Sequence, residues 1–164
     1  MSPDKKYNGI AAGEIRQFLE EKYLQYNNPG FIECDPISIP HGFSDNRDRE
    51  ISGFLTAAIA WGRRDLILRS SHIMTDLMDN SPFEFVSSAS DEEIARLARF
   101  VHRTFNGDDF ICFVRGLRNV YSSFASMEDA LLEGMTGGGS LKDGLNYLRT
   151  VFFRLPHDKR AEKH

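Results

Sequence analysis

The sequence predicts an all-α fold of seven to eight amphipathic helices in one compact domain, and three observations predict it. Apolar residues recur every three or four positions, rather than every two, along almost the whole chain. Ser90/Glu93, Ser126/Asp129 and Ser140/Asp143 place a hydroxyl three residues before a carboxylate at the starts of apolar runs, a pattern that satisfies free N–H groups at helix N-termini. The length, 164 residues, suits a single core at roughly 100 to 200 residues per domain.

Residues 1–11 read as a flexible N-terminus. A first helix is expected over Ala12–Tyr26, with Ile15, Phe18, Leu19 and Tyr23 on one face, stopping at Asn27-Asn28-Pro29-Gly30. In DPISIPHGFS, the fixed φ of Pro36 and Pro40 and the extended bias of the residue before each predict an ordered loop. The strongest helix is DREISGFLTAAIAW, where Ile51, Phe54, Leu55, Ala58 and Ile59 share a face. Gly53, Ala57 and Ala60 form a small-residue flank that permits a neighbouring helix to come close. Gly62 breaks this helix from the next, in which Leu66, Ile67, Ser70, Ile73, Met74, Leu77 and Met78 point inward and Arg69, Asp76 and Asp79 outward.

Ser81 before Pro82, Ser90 and Ser126 each open a helix. Asn106-Gly107-Asp108-Asp109 opens a long one carrying Phe110, Val114, Leu117, Val120, Tyr121 and Phe124, and its two acids suit the positive end of the dipole. Gly137 to Gly139 make a flexible connection to a last helix, capped by Ser140 and Asp143, with Leu141, Leu145, Leu148, Phe152 and Leu155 in one stripe. Residues 12–155 are thus expected to form a single helical domain, followed by a charged tail, 156–164.

With 41% hydrophobic and 27% charged residues, the chain is an ordinary globular protein, which argues against wholesale disorder, collagen and a disulfide scaffold. The net charge of -4 gives no global attraction to phosphate backbones, so any nucleic-acid role must rest on a local patch. No apolar leader and no run long enough to span a membrane occurs. Cys34 and Cys112 lack metal-type spacing, and the protein is expected to be cytoplasmic. The five histidines are scattered, and no nucleophile, phosphate or dinucleotide motif is present. No catalytic residue, metal or cofactor is therefore expected.

Asp45, Asp48 and Glu50 read as caps and dipole compensation for the helix they start, as do Asp108 and Asp109 for theirs. The basic residues stand out by position. Arg63 and Arg64 follow Trp61-Gly62 at a helix junction, and RLARFVHRTFNG gathers Arg96, Arg99, His102 and Arg103 around Phe100 and Phe105. Arginines interleaved with aromatics near helix ends hold phosphates and stack on bases. A solvated helix face over core aromatics is the competing account. The candidate nucleic-acid-binding residues are Arg63, Arg64, Arg99, His102 and Arg103.

At DPISIPHGFSDNRDREISGFLTAAIAWGRR and FVHRTFNGDDF the chain resembles an uncharacterised bacterial family of conserved hypothetical proteins, a domain of unknown function. That family is in turn distantly similar to helix-hairpin-helix DNA glycosylases of the endonuclease III kind. The resemblance runs from Glu14 to Leu155, with HRTFN its most specific part. It implies an all-α, two-lobed fold that flips a base from the duplex into a cleft. The superfamily's aspartate segment and Gly-rich hairpin have no counterpart here, so the expectation is possible DNA contact without catalysis by this chain alone. Its polar wedge corresponds to Trp61, Gly62, Arg63 and Arg64, without the usual glutamine. Members of the family run on past Lys163-His164, which makes this the N-terminal portion. The expected partners are duplex DNA and a missing C-terminal lobe or partner protein. The competing function is a non-enzymatic helical protein-interaction module.

Overall fold

A computed structural model describes residues 11–164 of the chain; all but Ala11 of the expected flexible N-terminus lies outside them. The chain divides into two units, with the boundary in sequence between Asp35 and Pro36.

In the first unit, α1 occupies Ala12–Tyr26, the bounds that periodicity predicts. The Glu14 carboxylate accepts the Ala11 N–H at 3.0 Å, in place of a hydroxyl cap. A 3-10 helix, Pro29–Cys34, follows, with Pro29 at its first position where no N–H donor is needed. Phe18, Leu19 and Tyr23 are exposed, so the apolar face of α1 contributes nothing to a core.

The second unit carries eight α-helices: α2 (Ser38–His41), α3 (Asn46–Ala58), α4 (Arg64–Leu77), α5 (Pro82–Ser88), α6 (Asp91–Ala95), α7 (Gly107–Tyr121), α8 (Met127–Gly134) and α9 (Leu141–Phe152). A 3-10 turn, Arg96–Arg99, extends α6. A hairpin of two-residue strands, Val101–His102 and Phe105–Asn106, forms the described sheet, so the fold is all-α. Ile51 and Leu55 of α3, Ile59 just past its end, and Val114, Leu117 and Val120 of α7 are almost wholly buried in the core.

Three expectations are corrected. The Pro36–Pro40 segment contains a helical turn, α2; Pro40 lies within its first turn, where the missing donor costs nothing. Leu66 and Ile73 of α4 are exposed at 40% and 44% rather than inward, and Ser71 and Thr75 take the buried face. Leu141 and Leu145 are likewise exposed, and Leu155, exposed too, lies beyond the end of α9, so of the expected stripe only Leu148 and Phe152 reach the core, joined by Val151.

The acids of α3 serve other helices besides their own. Asp45 caps α3 by accepting the Arg47 N–H at 2.7 Å. Asp48 Oδ1 instead accepts the Phe83 N–H of α5 at 2.8 Å, while the expected Ser81 side chain makes no cap bond. Glu50 Oε2 accepts the Met127 N–H of α8 at 2.8 Å and the Tyr121 hydroxyl. Burial, and after it the Glu50 carboxylate, push the Tyr121 hydroxyl far above the usual phenol range, so it stays a donor. The reciprocal Ser90/Glu93 and Ser140/Asp143 boxes form as read, and Ser126 accepts the Asp129 N–H at 3.0 Å.

Helices α8 and α9 pack as a hairpin that requires glycine: a Cβ on Gly144 would lie 2.6 Å from the Leu131 carbonyl oxygen. Residues 159–163 form a 3-10 helix with Ala161 buried.

Candidate nucleic-acid interface

The site is built where α3 ends. The Trp61 N–H donates to the Ile59 carbonyl at 2.8 Å, and Gly62 then takes φ +114°. A side chain there would be strained by that φ, and a Cβ, 2.3 Å from Arg103 Nη1, would push the guanidinium aside. Arg63 is extended and opens α4 without a side-chain cap. Its guanidinium, 75% exposed, pairs with Asp65 at 2.8 Å. That hydrogen-bonded pairing holds the Asp65 carboxyl below the usual range. Arg64, the first helical residue, is exposed.

The HRTFN run supplies the second half of the site. His102 lies opposite Phe105 across the hairpin, and the two-residue turn between them puts Arg103 at φ +56°, a region that non-glycine residues rarely occupy. From there the Arg103 guanidinium carbon lies 4.5 Å from the Trp61 ring centroid, within cation–π range. Two arginine-bearing segments about 40 positions apart in the chain therefore converge on one tryptophan.

His102 faces the other way. It is 4% exposed, its Nδ1 lies 2.7 Å from Ser70 Oγ of α4, and its ring meets the edge of Trp61. Burial first, and then the nearby Arg103 charge, pull its imidazole below the usual value, which favours the neutral ring. Its Nε2 has no hydrogen-bond partner. The Ser70–His102 spacing is that of a hydroxyl and its base, but both side chains are beneath the surface, so the pair acts as a strut between hairpin and helix. His102 is not presented to a ligand.

A third segment locks the hairpin. Arg160 donates to Asn106 Oδ1 at 2.6 Å, to Asp109 Oδ2 at 2.7 Å and to the Thr104 carbonyl at 3.2 Å. Asp109, 2% exposed, also accepts the Asn106 N–H at 2.9 Å. The acid expected only to compensate the α7 dipole is therefore also the buried anchor of Arg160. Nothing local marks Arg160: its partners are more than 50 residues away.

The remaining candidates separate from this centre. Arg99 is exposed and lines a cleft with Ile73, Asp76, Leu77, Phe100 and Val101. Arg96 pairs with Asp79 at 2.8 Å. Phe100 and Phe105, expected beside the arginines as stacking surfaces, are core residues at 2% and 0% exposure; aromatic surface at the site comes from Trp61, 37% exposed. Among the described residues, no group of three or more His, Cys, Asp or Glu is arranged to hold a metal ion. Nor is any helix there long and apolar enough to cross a membrane.

Fold and site define an all-helical domain in which a short hairpin pins a cationic helix junction. The chain belongs to the family described as Protein of unknown function (DUF2400), whose model matches residues 35–164. The match covers the second unit and leaves out α1, whereas the resemblance read from the sequence reached back to Glu14. No curated protein and no solved structure matches the chain.

Proposed function

We propose that this chain is the N-terminal helical portion of a protein related to helix-hairpin-helix DNA glycosylases, contributing duplex contact and releasing no base by itself. The observation that carries the reading is Arg103 laid on Trp61 beside Arg63 and Arg64. It brings the Arg103 guanidinium to the Trp61–Gly62 turn that Arg63 and Arg64 follow in sequence, and a guanidinium donates in the forked geometry that phosphate oxygens accept. The glycosylase kinship rests on the sequence resemblance at Trp61–Arg64 and HRTFN. His102 enters as the support beneath Trp61 and Arg103, and Arg99 as a more distant cation.

Duplex binding measured across a salt series tests the proposal. Replacing Arg63 and Arg64 together with alanine should weaken binding and flatten its logarithmic salt dependence by about one to two phosphate contacts, and Arg103→Ala by about one. Isotherms that match the unaltered chain at every salt concentration would refute the DNA reading.

A further inference from the structure

Between the core residues Phe100 and Phe105 the chain makes an excursion in which one side chain, that of His102, is buried; Val101 is 69% exposed, and Arg103 and Thr104 are exposed. The two sides of the excursion are held unequally. Arg160 bonds the Thr104 carbonyl and Asn106, and Phe105 is sealed in the core. The first strand and the turn are tied to the short ladder, to Trp61 through Arg103, and to α4 through His102. The His102 site suits a neutral ring. Its Nδ1 meets the Ser70 hydroxyl at 2.7 Å and its buried Nε2 has no hydrogen-bond partner, so protons on both nitrogens would leave a charge and an N–H without an acceptor beneath the surface.

The charged groups around the ring do not offset that cost. Arg103, next in the chain, repels an imidazolium. On α4, Arg69 and His72 stand exposed, and at the α3–α4 junction Asp65 is engaged by Arg63. Past the second strand, Asp109 is engaged by Arg160, and His164 packs on Phe105. The Trp61 backbone favours the charged ring but ranks behind burial and Arg103. Among the described residues the ion-paired histidines are His157 and His164, so His102 has no carboxylate to receive its charge. We propose that residues 101–104 form a pH-sensitive clasp: protonation of His102 drives its ring into water, and the turn carries Arg103 off the Trp61 indole while Phe105 and Arg160 keep the second strand in place. Opening also releases Arg103 from its φ of +56°. The clasp is shut at neutral pH and uncovers the indole in acid. The inference does not rest on the DNA reading.

Trp61 is the only tryptophan of the chain, so its emission reports on this contact. The test is tryptophan fluorescence with acrylamide quenching across a pH series from about 8 to 4, with far-ultraviolet circular dichroism to follow the helices. One transition is expected, with a midpoint below that of an ordinary histidine. Emission should shift to the red and quenching should rise about two- to threefold, since Trp61 starts at 37% exposure. His102→Asn should abolish the transition, and His164→Gln should leave it in place. Ser70→Ala, which removes the hydroxyl that Nδ1 meets, should raise the midpoint. Melting curves establish that each variant is folded. If His102→Asn is not, NMR of the unaltered chain decides: the His102 ring and the single indole N–H should titrate with one midpoint. No transition, or dimming without a red shift and added quenching, would overturn the inference, the latter because the ring would then be protonated in place. So would a transition that persists in folded His102→Asn, one that His164→Gln removes, two separate NMR midpoints, or loss of helix at the same pH.

Discussion

Arg103 rests on Trp61 with its guanidinium carbon 4.5 Å from the ring centroid, and Gly62 is the residue that lets it do so. Replacing Gly62 with alanine forces a side chain into φ +114° and into the guanidinium at once. The expected cost is about 1 to 3 kcal/mol. Arg103→Ala should itself cost about 0.5 to 1 kcal/mol. In the double variant the clash is gone and the backbone penalty remains, so urea midpoints should show less than additive losses. Strict additivity would mean that Gly62 and Arg103 do not touch.

Glu50 joins α3 to α8 across 77 positions through the Met127 N–H. Glu50→Ala should lose about 1 to 3 kcal/mol, because it strips a helix N-terminus and leaves the half-buried Tyr121 hydroxyl without its acceptor. Asp48→Ala, which frees only the Phe83 N–H, should lose about 1 kcal/mol. Chemical denaturation checks both, and an Asp48 loss larger than that of Glu50 would contradict the assignment.

Stability between pH 5 and 8 should carry two opposing histidine contributions. His102 has a folded value below its unfolded one, so its contribution is complete above the unfolded value and is lost as pH falls. His157 is raised, first by the Leu155 carbonyl and then by Glu162, so its contribution is complete below the unfolded value and is lost as pH rises through the folded one. His157→Gln should therefore make stability climb more steeply from pH 5 to 8, and His102→Asn should make it climb less. Asp45, held at about 2 chiefly by its side-chain bond to Arg47, titrates below this window. A pH series of urea midpoints in which the two variants change slope in the same direction would refute the account.

Arg160→Ala should cost about 2 kcal/mol, since it removes charge-assisted bonds to the buried Asp109 carboxylate. Asp109→Asn in the same background should recover part of that loss by removing the unpaired charge. Thermal melts of the single and double variants measure this. A double variant less stable than Arg160→Ala would show that Asp109 is satisfied by the Asn106 N–H and His164, 3.6 Å away, without Arg160.

What the sequence made legible was local. The bounds of α1 and the Ser90, Ser126 and Ser140 starts follow from side chains that answer a backbone three or four residues away, and the structure reproduces them. Asp48, Glu50 and Asp109 carry the same local signature, yet their decisive partners lie 35, 77 and 51 residues off. Periodicity also marks apolar faces without saying whether anything covers them, which is why Leu66, Ile73, Leu141 and Leu145 were read as inward or in stripes and stand exposed. At the site, spacing singled out both arginine clusters. Only the hairpin turn at Arg103 brings that one arginine of the second cluster to Trp61, and a turn with positive φ at an arginine has no composition cue.

The latch at Arg160 also orders events in time. A ribosome reaches Arg160 51 residues after Asp109, about 3 to 10 s later at ordinary elongation rates. Through that interval the carboxylate that will be sealed beneath Arg160 lacks that counter-charge, and the hairpin that carries Arg103 is held by its own strands, His102, Trp61, buried Phe105 and the Asn106 N–H to Asp109, without the Arg160 bonds. The nascent domain therefore completes its cationic junction late, well after α3 and α4 have been made.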